Sequence, residues 1–257
     1  MPVHDDLGTR MKEFYENIPK TKLMRRCPVA MRIDGKAFHT FTAKLKKPFD
    51  YVLVKSMQDT MKALCENIQG CVLGYTQSDE ITLILVDYQT FSTSAWFDNE
   101  VQKMCSIGAS IATLYFNKAF TKYTLDEYES GDKEYYNTLA KCIERGAMFD
   151  CRVFNIPKEE VCNLVYWRQL DASKNSVQMV ARSLFSHKQL FGKSTSAMQD
   201  MMMEQYNVNW NDYPTELKRG SACIRDAEGK WIIDHEMPIL KGEGREYVDK
   251  LIWIGEE

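Results

Sequence analysis

Val29-Ala-Met-Arg-Ile-Asp-Gly35 alternates strictly, with Val29, Met31 and Ile33 pointing one way and Ala30, Arg32 and Asp34 the other. A period of two is the signature of a strand with one apolar face. Gly35 lets the backbone turn sharply at its end. The stretch therefore predicts a strand that delivers an arginine and a carboxylate on one face, at the point where the chain leaves a sheet. Downstream, a basic loop, Lys44-Leu-Lys-Lys-Pro-Phe-Asp50, leads into a helix marked by Leu53, Met57, Met61, Leu64 and Ile68, with Gly70 suited to its C-terminal cap. Two apolar runs, Cys71–Thr76 and Ile81–Val86, flank the polar turn Gln77-Ser-Asp-Glu80 and read as a β-hairpin with two acids at its tip. A third helix is expected over Trp96–Phe120, where Gly108, Ala109 and Ala112 permit close approach to a sheet, and Phe149–Ile156 alternates again. With a first helix over Leu7–Ile18, the order is β-α-β-β-α-β, the split βαβ unit of ferredoxin-like α+β folds. Residues 122–146, polar and rich in tyrosine, are expected to be an insertion or flexible arm. The predicted division is a core domain over 1–157 and a helical and mixed C-terminal region over 158–257, opening with helices at Lys158–Asp171 and Asn175–Ser186.

The totals bound this reading. At 257 residues, 44% hydrophobic and 27% charged, the chain can build one large core or two modest ones. The 33 Lys and Arg against 36 Asp and Glu give a formal charge of −3, which does not advertise a nucleic-acid binder but leaves room for a local basic groove. Eight cysteines lie mostly in apolar runs without a CxxC pair, which predicts buried free thiols rather than zinc. The N-terminal Met-Pro-Val-His-Asp-Asp has no leader-like apolar core, and Ile81–Val86 is far too short to span a bilayer. A reducing, cytoplasmic setting without membrane contact is the expectation.

The residues that could carry chemistry converge on the predicted sheet. In this topology the first and third strands are central neighbours, so Asp34 and the Asp79-Glu80 pair would emerge side by side. Taken singly, each acid is an ordinary turn residue; together they form the oxygen-ligand pattern that Mg²⁺ prefers, and two such ions can clamp the oxygens of a phosphoryl transfer. Around them, Gly35-Lys-Ala-Phe-His39 offers backbone N–H groups for a triphosphate, Arg32 shares the face of Asp34, and Lys47 and Asp50 follow in the basic loop. His187-Lys-Gln-Leu-Phe-Gly-Lys-Ser194 imitates a phosphate loop but lacks the four-residue spacer and follows a helix, so its basic residues suit RNA phosphates better.

Met31-Arg-Ile-Asp-Gly-Lys-Ala-Phe-His-Thr-Phe41, Lys47-Pro-Phe-Asp50, Gly74-Tyr-Thr-Gln-Ser-Asp-Glu80 and Phe149-Asp-Cys-Arg-Val153 resemble the tRNA-histidine guanylyltransferase family of reverse (3′–5′) polymerases, in order over roughly residues 5 to 225. The resemblance implies a polymerase palm in which Asp34, the Gly35 carbonyl and Asp79 hold two Mg²⁺ ions. It implies that Gly35, Lys36, Ala37, Phe38, His39 and Ser78 contact a nucleoside triphosphate. Arg32, Lys47, Asp50, Lys103 and Arg152 match further positions used for nucleotides or the RNA end, and Glu80 matches an acid whose role stays open. Asn175, His187, Lys188 and Lys193 are the remaining candidates for RNA contact. ATP, GTP or other nucleoside triphosphates, tRNA and a homo-oligomer, a tetramer, follow as implied substrates and partners.

Two departures narrow the reading. Members devoted to tRNA-histidine carry His-Ile-Asn-Asn after Trp-Arg-Gln, whereas here Trp167-Arg-Gln-Leu-Asp-Ala-Ser-Lys-Asn-Ser176 leaves only Asn175 as a counterpart. That pattern is similar to the bacterial, archaeal and phage branch, for which the implied activity is template-directed repair of 5′-truncated tRNA. Glu100 also stands where the family often has an arginine, which bears on contacts to the activating nucleotide. The implied chemistry is adenylylation of a 5′-monophosphate by ATP, then attack of an incoming 3′-hydroxyl on the activated phosphate. The rivals are a dedicated tRNA-histidine enzyme, a palm-type nucleotide cyclase, which a Gly-Gly-Asp-Glu tip would favour, and a non-catalytic RNA-binding module, which loss of Asp34 or Asp79 would favour.

Overall fold

The alternating stretch is strand β1 (Val29–Gly35), and it lies inside a six-stranded antiparallel sheet rather than at its edge. The computed structural model describes residues 6–255; the residues before Asp6, read above for a leader segment, lie outside them. In chain order come α1 (Asp6–Met11), β1, α2 (Phe38–Phe41), α3 (Tyr51–Asn67), the hairpin β2 (Cys71–Gln77) and β3 (Glu80–Leu85), α4 (Val101–Ser130), α5 (Lys133–Arg145), β4 (Phe149–Asn155), α6 (Lys158–Leu184), α7 (His187–Leu190), α8 (Thr195–Tyr206), α9 (Thr215–Arg219), β5 (Ser221–Arg225) and β6 (Trp231–Asp234). The strand order β4-β1-β3-β2-β5-β6 contains the ferredoxin-like 4-1-3-2 core.

Period-two alternation sorts the side chains onto two faces. Val29, Met31, Ile33, Ile81, Leu83 and Leu85 enter the main core beneath α3 and α4. Gly108 of α4 lets that helix settle on the sheet, since a Cβ there would already stand 3.2 Å from the Met31 sulfur. On the other face, Ala30, Ile84, Leu73 and Tyr75 meet Val161, Cys162 and Val165 of α6 in a second core. A third cluster, with Val177, Val180 and Ala181 of α6 and Phe185 just after it against Met198 and Met202 of α8, forms a small helical lobe at the far end of α6.

The α+β palm class stands, and four boundaries change. The helix expected over Leu7–Ile18 is α1 followed by a π-turn at Lys12–Glu16, with no buried residue in either. The segment 122–146, expected to be a flexible arm, is the end of α4 plus all of α5. Tyr135, Leu139 and Cys142 recur at helical spacing and enter the main core, so the tyrosines signal an amphipathic stripe rather than a polar arm. Gly131, at φ 93, ends α4, and the Asp132 side chain caps α5 by accepting from the Tyr135 amide. The break expected within Asp171–Asn175 is absent: no Gly or Pro interrupts it, Ser173 Oγ bonds back to Gln169 O at 3.0 Å, and α6 runs unbroken for 27 residues. The C-terminal region also returns β5 and β6 to the same sheet, with Thr76 opposite Ser221. No helix among the described residues is long and apolar enough to cross a membrane.

Leu139 is fully buried. Leu139→Ala should lower unfolding stability by about 2–5 kcal/mol, the usual cost of deleting a buried leucine, in urea denaturation; a loss near zero would mean that 122–146 is an arm after all.

Candidate active site

Asp34 sits near the end of β1 directly opposite Glu80 of β3 and Asp150 of β4. The hairpin turns through only two residues, Ser78 and Asp79, because Gln77 already pairs with Glu80, and Ser78 adopts φ 51 to close it. The Gly35 amide donates to the Asp79 carbonyl at 3.1 Å, which ties the hairpin tip to the end of β1. Asp34 and Asp79 therefore line one open cleft of about 460 Å³, shared with Ala37, His39, Thr42 and Ser78.

Gly35 is required by a close approach: a Cβ there would lie 2.3 Å from the Phe38 ring. That ring is buried among Phe41, Phe116 and Phe149, at centroid distances of 5.1 to 5.4 Å. Phe38, expected as a nucleotide contact, gives its side chain to the core and only its backbone to the cleft. Ala37, at φ 56, reverses the chain into α2. Gly35 and Lys36 spend their amides on Asp79 and Met148, whereas those of Ala37, Phe38 and His39 meet no acceptor among the described residues. Three successive amides without acceptors, beside two carboxylates, suit an anion whose charge is partly cancelled by cations.

Burial raises the Asp34 carboxyl above its ordinary value, and the charges of Asp79, Glu80 and Asp150 raise it further against the opposing pull of Arg152. Burial likewise raises Asp79, against the lowering effect of the Ser78 hydroxyl, which donates to Asp79 Oδ1 at 3.0 Å. Crowded carboxylates of this kind call for a hard cation. No group of three or more His, Cys, Asp or Glu side chains among the described residues could hold one. An ion here would complete its shell from backbone, water or substrate oxygens, as Mg²⁺ commonly does.

Glu80, grouped by the sequence with Asp34 and Asp79 in the expected metal-binding pattern, belongs to another network. Being in the strand rather than the turn, its side chain faces α6. Arg32 lies 3.3 Å from Oε1 and Arg168 2.7 Å from Oε2, the latter at ion-pair distance but outside hydrogen-bond alignment. Two guanidinium groups neutralise it, so it positions arginines rather than binding metal. Arg32 is held with it and turned away from the cleft. Asp50 is also corrected: it is a buried cap of α3, accepting from the Leu53 and Lys46 amides and the Tyr135 hydroxyl. Lys47 is exposed, its ammonium 3.5 Å from the Thr42 carbonyl at the cleft rim. Lys103 does not join the acids within one chain. It lies in the first turn of α4 against Phe97, ten residues before Thr113, whose hydroxyl accepts from the Phe149 amide near the site. Arg152 pairs with Asp150 at 3.1 Å on the sheet face of Asp34. Asn175 lies beside Ser78 and Gln77 in a second, mainly apolar cavity behind the hairpin tip. His187, Lys188 and Lys193 are exposed on the helical lobe.

Sequence reasoning missed Asp150, Arg168 and Trp167. Arg168 had a signal: it continues the sheet-facing stripe Val161, Val165, and an arginine on an apolar stripe needs a carboxylate partner.

Residues 8–157 match the family model described as Thg1: tRNAHis guanylyltransferase. The chain belongs to that family. It is therefore a nucleotidyltransferase. Protein R259 of Acanthamoeba polyphaga mimivirus is 30% identical over 85% of this chain and 76% of its own length. The tRNA(His) guanylyltransferase of Saccharomyces cerevisiae is 23% identical over 80% of this chain and 86% of its own. A bacterial Thg1-like protein solved in complex with ATP superposes with a TM-score of 0.83 at 41% identity, covering 97% of this chain and all of that one. A bacterial Thg1-like protein in complex with GTP gives 0.78 at 38% identity, over 97% of this chain.

The raised carboxyls set a pH test on the metal-free protein. A carboxyl whose folded pKa lies above its unfolded value favours the fold only while protonated; that benefit is lost as pH rises through the folded pKa. Asp34→Asn should therefore raise the melting temperature at neutral pH, with the gain vanishing at a pH below the ordinary carboxylate range. Equal melting temperatures at neutral pH would mean that Asp34 is not held against repulsion.

Proposed function

We propose that the protein adds nucleotides in the 3′–5′ direction to the 5′ end of a truncated tRNA, choosing each by its pairing with the opposing base. The observation that carries this reading is the Asp34–Asp79 pair in one cleft with Ala37, Phe38 and His39, whose amides are unspent. The relatives support its parts: the bacterial Thg1-like proteins were solved with ATP and with GTP, and the yeast relative is named for tRNA(His).

Asp34, Asp79 and the Gly35 carbonyl would hold Mg²⁺ ions, which when bound supply charge neutralisation at phosphoryl oxygens and a lowered pKa at a bound hydroxyl. The amides of Ala37, Phe38 and His39 would cradle the triphosphate, with Lys47 and Lys36 at the rim. In the first step the RNA 5′-phosphate attacks the ATP α-phosphorus and releases pyrophosphate. In the second, the 3′-hydroxyl of the incoming nucleotide attacks the RNA phosphorus and releases AMP; a 5′-triphosphate end skips the first step and releases pyrophosphate instead. The protein contributes placement and electrostatics, with no covalent intermediate on the enzyme.

Templating follows from a sequence departure. The His-Ile-Asn-Asn motif is replaced by Asp171-Ala-Ser-Lys-Asn-Ser176 on an unbroken helix, with Asn175 alone exposed beside the hairpin tip. Watson–Crick pairing then supplies base choice, and the palm need only read geometry.

Truncated tRNAs carrying each of the four opposing bases, offered each nucleoside triphosphate with Mg²⁺, should be extended by the complementary nucleotide. Guanosine added equally opposite all four would identify a dedicated tRNA-histidine enzyme instead. Asp34→Ala or Asp79→Ala should abolish addition while far-ultraviolet circular dichroism stays unchanged, and wild-type rates in either would sink the palm assignment. Lys188→Ala and Lys193→Ala should each reduce the slope of log affinity for tRNA against log salt by about one unit or less; unchanged slopes would leave these lysines as solvated surface.

A further inference from the structure

Trp167, in the middle of α6, leaves 51% of its surface exposed. Its place is set by cations. The Arg168 guanidinium carbon lies 4.4 Å from the ring centroid and that of Arg32 5.3 Å. Both arginines are in turn held by Glu80, and Arg168, almost fully buried, also binds Asp171 at 2.8 Å. The indole is thus anchored through two guanidinium groups to one carboxylate of the central sheet, while about half its surface stays open to solvent.

Its position relative to the acids is informative. Arg32 and Asp34 are two residues apart on the same face of β1, about 7 Å along the strand. The Gly35–His39 turn follows Asp34 in the chain and lines the cleft, whereas Arg32, Glu80 and Trp167 are not among the cleft residues. Asp34 therefore has two flanks, one built of amides that suits a triphosphate, the other an aromatic ring backed by positive charge. An exposed, electron-rich ring beside arginines is the chemistry that stacks a nucleobase without reading its identity.

We infer that Trp167 is the stacking platform for the terminal base of the RNA 5′ end, opposite in the site to the incoming nucleotide. The inference rests on the proposed RNA substrate and names the residue that holds its last base. Stacking suits a polymerase of this kind because it tolerates any base, leaving selection to pairing. It also gives Glu80 a role that metal binding does not: by fixing Arg32 and Arg168, Glu80 sets the platform's orientation as a positioning residue.

The test measures binding in the absence of nucleoside triphosphate. A truncated tRNA with a 5′-triphosphate is compared with the same molecule made abasic at its 5′-terminal residue. Wild-type protein should bind the intact end about tenfold more tightly, the factor expected for one aromatic–base stack. Trp167→Ala should bind both equally, at the abasic level, while its KM for the incoming nucleotide in the addition assay stays at the wild-type value. Trp167→Phe should keep most of the discrimination. If Trp167→Ala does not fold, Trp167→Leu, which keeps apolar bulk but not the aromatic face, should show the same loss. Wild-type indifference to the abasic end, or undiminished discrimination in both the Ala and Leu variants, would overturn the inference. The two readings fail separately: base-dependent binding through Trp167 without any nucleotide addition would sink the proposed function alone, and templated addition by a Trp167→Ala enzyme with unchanged tRNA affinity would sink the platform alone.

Discussion

The register in which β1 lies between β3 and β4 governs the rest of this molecule. Asp34 opposite both Glu80 and Asp150 fixes which carboxylates share a face, and the Gly35 amide on the Asp79 carbonyl then draws the hairpin tip against the strand end. A slip of one residue would send Asp34 into the Met31 and Ile33 layer and Ile33 into water. The apolar layer beneath α3 and α4 forbids that slip, so the same packing energy that holds the sheet together also sets the spacing of the acids. Phe38 reinforces it from outside the sheet: its ring fills the place a Gly35 side chain would take, which leaves the turn after β1 one way to leave the sheet.

The charges around this register divide into two groups with opposite logic. Asp34 and Asp79 line a cleft with no Lys or Arg side chain on its wall, and burial first of all raises both carboxyls, with neighbouring acids adding to it. Glu80, one residue from Asp79, is matched by the guanidinium groups of Arg32 and Arg168. Adjacent positions in the chain thus give one acid that awaits a cation and one already satisfied. The hairpin turn is what separates them, because it places Asp79 in the bend and Glu80 in the ladder.

Alternation and helical spacing made the palm legible in the sequence, including the adjacency of the first and third strands. Asp34, Asp79 and the Gly35–His39 turn are all where that reading put them. What period and spacing do not carry is register across strands distant in the chain. Asp150 lies 116 positions after Asp34 and meets it only because β4 pairs with β1 in a particular frame. Asp50 looked like a ligand because a polar loop and a helix cap use the same residue types, and only the position of Tyr135 separates the two. The segment around Tyr135 was misread for a related reason: tyrosine counts as polar in a composition and as apolar in a stripe.

The unbroken α6 has a mechanical consequence. It starts beneath the sheet at Lys158, passes Trp167 and Arg168 at the level of Glu80, passes Asn175 at the hairpin tip, and ends in the lobe that carries Lys188 and Lys193. At 1.5 Å per residue its 27 residues make a rod of about 40 Å. Such a rod is a ruler: anything gripped by the lobe is held at a set distance and a set angle from the acids. Deleting one residue between Arg168 and Asn175 would shorten it by about 1.5 Å and swing the lobe by about 100°, enough to carry a gripped strand off the cleft without altering any residue that touches the chemistry.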